Sequence, residues 1–298
     1  MKPFFLPDSA GYLAWFRLLG LKGSVIPTIL PRVTICVIFA IAVTVGHFFG
    51  WKLSISFQVV PSIVIGLLLV FRTNTAYERF WEGRKAWGTL INTVRNLSRS
   101  IWIAIREQEP TDRQEKIVVL RLLVAFAIAT KLHLRSENLD QEIADLLPKD
   151  YYEKLQTMNN PPLEIAFWIG DYLQKKYEKG LIHPYQLSAM LKLLDSMVDV
   201  LGICQRILKT PIPLAYIIHL RQLIFLYCFT APFELINNLG WLTPLFVGVI
   251  AFTVFGIEEI GVEIENPFGH DANDLPLDQI CRTMQVNIDD LIRVGSQD

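Results

Sequence analysis

Apolar residues crowd the start of the chain into two helix-length runs, residues 25–50 and 53–71, divided by the short stretch 47–53. The second run is nineteen residues long, enough to cross a hydrocarbon core of about 30 Å. Pro27 and Pro31 at the opening of the first run predict a bent or broken entry. Pro61, near the middle of the second, frees a carbonyl and predicts a bend or interruption there. Two more apolar runs follow late in the chain, 212–229 and 241–256, with 231–240 read as a tight turn between them. His219 and Arg221 lie inside the third run, which is costly in lipid unless they face a partner, water or the bundle interior.

Between these pairs the pattern changes. Residues 79–105 read as helix, with Trp81, Trp87, Leu90, Val94, Leu97 and Ile101 on one packed face. Residues 110–113 end that helix and cap the next. The stretch 117–130 holds fourteen residues with one charge, too short to span comfortably, and reads as a buried helix of an aqueous body. Three amphipathic helices, 140–147, 161–179 and 185–208, complete that body, and Gly180 closes the middle one. The predicted class is an all-α membrane protein with four transmembrane helices and a large cytoplasmic helical domain. Its segments are an N-terminal cytoplasmic or interfacial arm (1–24), a first transmembrane hairpin (25–71), the cytoplasmic helical domain (72–209), a second hairpin (210–256) and an acidic C-terminal segment (257–298).

Composition agrees: 52% of residues are hydrophobic and 19% charged, below the roughly 25% charge of soluble domains, with a mean hydropathy of +0.34. A net charge of −1 argues against nucleic acid as a partner. The four cysteines, 36, 204, 228 and 281, show no short metal or disulfide spacing. No signal peptide is read in the first 21 residues. Basic residues cluster before the first run (Arg17, Lys22, Arg32) and after the second (Arg72, Arg79, Arg84, Lys85), while the intervening turns are nearly free of them. Both termini and the central body are therefore expected in the cytoplasm. Trp51 and Trp241 suit interfacial anchors.

No phosphate loop, dinucleotide loop, nucleophile elbow or zinc-protease motif occurs, and the five histidines are scattered, so an enzyme is not expected. Ile63, Leu67 and Phe71 recur at i, i+4, i+8 on the second run. Such a stripe packs against a neighbour or lipid, or lines an apolar constriction if several copies surround one axis. The tail gathers six carboxylates and two Asn between residues 258 and 274. Closely spaced oxygen ligands suit calcium, and a solvated acidic loop explains them equally well. Glu258 and Glu259 could instead give a vestibule a field that concentrates cations.

The segments 71–84 (FRTNTAYERFWEGR) and 265–269 (ENPFG), with the arm around Trp15, Phe16, Arg17, Lys22, Gly23 and Ser24, resemble the bestrophin family, most closely its bacterial branch. The resemblance covers almost the whole chain. It implies a homopentameric ion channel in the bacterial inner membrane, five copies of the second span forming a narrow neck. Ile63, Leu67 and Phe71 match the three neck positions, and a lower constriction falls near Leu181, Ile182 and Tyr185. Animal members are calcium-activated chloride channels. Asn266, Asp271 and Asp274 match part of their calcium clasp, whereas Ala272 and Asn273 replace acidic positions and Glu263 stands where animals carry an amide. No cofactor is required on this reading, and calcium binding stays open. Bacterial members are described as passing monovalent cations. Together with the acidic stretch 258–265 this makes a sodium or potassium channel the expected function. A chloride channel, a small-solute transporter using Arg221 or His219, and a non-conducting membrane scaffold are the alternatives.

Overall fold

The computed structural model describes residues 23–51 and 59–295. The aromatic and basic arm up to Lys22, and the start of the second apolar run at 52–58, lie outside the described residues. Every regular element among the described residues is helical. They are α1 (Ile26–Phe48), α2 (Val59–Ala104), α3 (Pro110–Arg135), α4 (Gln141–Leu146), α5 (Lys149–Gln156), α6 (Pro161–Glu178), α7 (Pro184–Lys209), α8 (Leu214–Leu239), a 3₁₀ turn (Gly240–Leu242), α9 (Thr243–Glu263) and α10 (Leu277–Gly295). Three helical stretches among the described residues are long and apolar enough to cross a membrane: α1, α3 and the α8–α9 pair.

The chain divides into two compact units. One takes the residues up to Tyr77, Ile212–Glu265 and Asp271–Asn273; the other takes Glu78–Pro211, Asn266–His270 and the residues from Asp274 on. In the first unit α1 packs on α8 and α9. A thin core of Ile29, Cys36, Ile65, Leu69, Ile224 and Phe255 holds the helices together. A Cβ on Gly248 would lie 3.1 Å from Val37 Cγ2, so α1 and α9 approach closely at this small residue. Outside that core Ile35, Ile38, Ile41, Leu245, Val249 and Phe252 are exposed. An apolar face this continuous belongs in lipid rather than water. Phe48 stacks on Trp241, ring centroids 4.4 Å apart, which ties the end of α1 to the α8–α9 turn.

Three expectations about the apolar runs need correction. Helix α8 runs through Pro232 to Leu239, so the turn predicted at 231–240 shrinks to Gly240–Leu242. Helix α2 is continuous from Val59 to Ala104, with Pro61 in its first described turn instead of at a mid-helix break. Likewise α1 continues across Pro31.

The second unit is built on α3, against which α6, α10, α4 and α7 pack. By composition α3 could span a membrane, yet 78% of its apolar window is buried, against 28% for α1 and 33% for the α8–α9 stretch. Its apolar surface is covered by protein, as expected for a core helix. Pro110 opens α3, and Asp112 Oδ2 accepts from the backbone N–H groups of Gln108 and Glu109. Asp112 Oδ1 accepts from Lys176, which lies buried on α6 and also pairs with Glu115. The lysine hydrogen bond, followed by the two backbone donors, holds the Asp112 carboxyl well below the usual range. Burial works against the Lys176 charge, but its two carboxylate partners outweigh that and raise its pKa. Lys116 caps the end of α2, donating to the carbonyls of Trp102 and Ile105. Helix α5 was not anticipated; it is a short polar segment started by Pro148.

Candidate functional site

Helix α2 carries the candidate pore surface. In its first-unit portion Ile65, Leu69, Arg72 and Ala76 are buried. At 100° per residue these four share one face. Ile63, Leu67 and Phe71 lie towards the other side, 63%, 54% and 56% exposed. Val70 is exposed beside them. The sequence stripe is therefore a surface stripe of the protomer, opposite the face that packs.

Arg72 is the unusual member of the buried face. It is 1% exposed and its Nη2 donates to Glu265 Oε2 at 2.7 Å. Glu265 Oε1 accepts from the backbone N–H of Ile212 at 3.1 Å. Nε and Nη1 of Arg72 are buried and make no hydrogen bond among the described residues. Gly261 leaves room for the side chain, since a Cβ there would stand 3.3 Å from Arg72 Cγ. One turn earlier Tyr216 donates its hydroxyl hydrogen to the carbonyl of Leu68 at 2.6 Å.

A second ionic group joins three helices. Arg32 of α1 pairs with Glu259 at 2.8 Å and with Glu258 at 3.4 Å, and Arg221 of α8 donates from Nε to Glu258 Oε1 at 2.8 Å. Glu258 is 1% and Glu259 7% exposed. Both carboxylates are thus buried and paired with arginines that are themselves partly exposed. Arg221, its side chain 44% exposed, is held by the buried Glu258, an ordinary solution for a charge on an apolar helix. His219 is exposed.

The tail brings together the two motif segments in the second unit. Phe268 is fully buried. A Cβ on Gly83 would meet Phe268 Cε1 and Cζ and Pro267 Cγ, each at 3.1 Å. The glycine of one motif is thus the seat for the Pro-Phe of the other. Arg135 Nε donates to the Phe268 carbonyl and the N–H of Leu275 to that of Pro267, both at 3.0 Å. Asn266 Oδ1 accepts from the N–H of Phe268 at 3.3 Å. Asp274 lies against Gly269, its Oδ2 2.7 Å from where a Cβ would stand. In the first unit Asp271 is exposed. There Asn273 Nδ2 bridges Glu263 Oε2 at 2.8 Å and the Gly23 carbonyl at 3.2 Å. An amide donor thus serves the carboxylate that a cation could otherwise balance. Among the described residues no group of three His, Cys, Asp or Glu side chains stands close enough to hold a metal ion.

The expected lower constriction separates into two kinds of residue. Leu181 and Ile182 are core residues, 3% and 4% exposed. The Leu181 carbonyl accepts from the N–H of Arg106 at 3.2 Å. Both are buried in the second unit, and Tyr185 is the exposed member of the three. Tyr185 is 83% exposed and stacks on His183, ring centroids 5.3 Å apart.

Sequence reasoning missed the Arg72–Glu265 pair, taking Arg72 only as a charge flanking a span. A signal was present: positions 65, 69, 72 and 76 follow helical spacing, so Arg72 stands in the packed row.

The chain matches the family model described as Bacterial/Fungal Bestrophin protein over residues 9–290. It is 67% identical over 279 residues to the voltage-dependent anion channel-forming protein sll1024 of Synechocystis sp., covering 93% of this chain and 91% of that protein. To the voltage-dependent anion channel-forming protein alr2987 of Nostoc sp. it is 58% identical over 280 residues, with the same coverage, 93% and 91%. A crystal structure of a bacterial bestrophin homolog from Klebsiella pneumoniae superposes with a TM-score of 0.81 at 30% identity, covering 89% of this chain and 98% of that one. The expectation of cation conduction is overturned here. The carboxylates that supported it are buried against arginines, and the relatives of 67% and 58% identity are named for anion channels. Those relatives are named as channel-forming proteins. Matched to its model across 9–290, this chain belongs to the bacterial and fungal bestrophin family.

Proposed function

We propose that the protein is a membrane anion channel, built as a ring of five copies around the exposed face of α2. The observation that carries this reading is the exposed apolar stripe Ile63, Leu67 and Phe71, opposite a packed face, on a chain 67% identical to an anion channel-forming protein. In the ring these three residues form the neck, and Tyr185 forms a lower constriction. Four spans cross the bacterial inner membrane: α1, the apolar start of α2, α8 and α9. The basic residues flanking them place both termini in the cytoplasm. Lipid surrounds the outer faces.

Ion sign follows from what α2 lacks. No carboxylate occurs between Val59 and Tyr77, and the one charged side chain there is Arg72. A neck with no acidic ring gives cations no direct attraction. An apolar constriction instead favours the ion that sheds water most cheaply, and chloride does so more readily than sodium. Gating by dewetting fits the same lining.

The test is chloride release from KCl-loaded liposomes containing purified protein, with a potassium carrier present to balance charge. The expected result is release well above that of protein-free liposomes, and faster still for Leu67→Ala. Release no faster than the protein-free control contradicts the reading.

A further inference from the structure

We infer that the buried Arg72–Glu265 ion pair sets the azimuth of α2 about its own axis, and so decides which residues line the neck. The inference rests on the neck reading above and names the positioning residues behind it.

Apolar contacts alone do not fix a helix's rotation sharply. They are non-directional, and Ile65, Leu69 and Ala76 would accept small turns of the helix at modest cost. A buried guanidinium is different. Arg72 lies nine residues after Ile63, about 180° around the helix from it. Among the described residues the hydrogen bond to Glu265 Oε2 is the one it makes, because Nε and Nη1 have no hydrogen-bond partner there. Rotation that broke this bond would leave a charge buried and unpaired.

The acceptor is itself held. Glu265 Oε1 takes the N–H of Ile212, so the carboxylate cannot follow the arginine freely. Gly261 shapes the slot in which the arginine stem lies. The Tyr216 hydroxyl on the Leu68 carbonyl adds a second directional contact one turn earlier. Leu68 and Arg72 each directly follow a proposed neck residue, Leu67 and Phe71, so the two polar contacts act at the height of the neck.

Cysteine accessibility reads azimuth directly. The native cysteines are all buried, so block by an anionic methanethiosulfonate reports an introduced cysteine. Leu67→Cys and Leu68→Cys are each made in the unaltered chain, in Glu265→Gln, and in Arg72→Met/Glu265→Leu. The last removes both charges, so it keeps the buried site neutral. In the unaltered background Leu67→Cys is expected to block quickly and Leu68→Cys slowly. In both altered backgrounds the ratio of the two block rates is expected to fall by about tenfold or more. A ratio unchanged in Arg72→Met/Glu265→Leu overturns the inference, because the pair would then only balance charge. Failure of Leu67→Cys to block an otherwise conducting channel overturns the neck reading, and the positioning role with it.

Discussion

Single residues explain why two distant motifs recur in one chain. Phe268 fills the space that Gly83 leaves open, and its ring is fully buried. Phe268→Ala should therefore cost the second unit about 3–5 kcal/mol, the usual range for deleting a buried aromatic ring, seen as a lower thermal midpoint. An unchanged midpoint would mean that the loop repacks. The Asp112–Lys176 pair predicts a pH response. Asp112 has a depressed pKa in the folded state, so its contribution is present above the ordinary carboxylate value of about 4 and is lost as pH falls through the folded value. Thermal midpoints should decline on acidification below about pH 4, and Asp112→Asn should flatten that part of the profile. Lys176 has the opposite sign: its pKa is raised, so its contribution holds below the ordinary lysine value of about 10.4 and fades in stronger alkali. The Cys204 and Cys281 thiols are both pushed up to about 12, mainly by burial, and stay unreactive at neutral pH.

At the scale of elements, most helices were legible because their hydrophobic period was strong. Helices α6 and α7 fall within a residue of expectation, and α3 was rightly read as buried although its composition alone allows a span. Proline misled the reading. At Pro31 and Pro232 the helix continues, since helices packed in lipid with neighbours tolerate a lost backbone bond that would break a solvated one. The stretch 231–240 reads as a tight turn, yet the helix runs on to Leu239 and Gly240 turns the chain with φ of +49°. The stripe of Ile63, Leu67 and Phe71, exposed on α2, was legible from spacing; the buried arginine behind it was not, because an arginine after an apolar run reads equally well as an interfacial anchor. Ile63→Ala and Leu67→Ala should each widen and wet the neck, raising unitary conductance severalfold, whereas Leu69→Ala, on the packed face, should lower stability by about 2–5 kcal/mol and leave conductance near its original value. Equal single-channel currents in all of them would remove α2 from the permeation path.

For the whole molecule, sequence carried the family and the membrane class, but pointed to a cation where the relatives of 67% and 58% identity are named for anion channels. The acidic stretch 258–265 looked like an exposed cation-attracting surface because a linear sequence does not show what each carboxylate faces. Folding turns Glu258, Glu259 and Glu265 onto Arg32, Arg221 and Arg72, which cancels their charge locally. Residues around 181–185 show the same limit: spacing does not reveal that Leu181 and Ile182 are buried in the protomer while Tyr185 is exposed. Tyr185→Ala should raise conductance less than Leu67→Ala if the neck is the narrower point; a larger effect at Tyr185 would place the main barrier there.

The central claim, anion conduction, is tested most directly by single-channel recording of purified protein in a planar bilayer under asymmetric KCl. The account predicts a reversal potential close to the chloride equilibrium value. A reversal potential close to the potassium equilibrium value would contradict it.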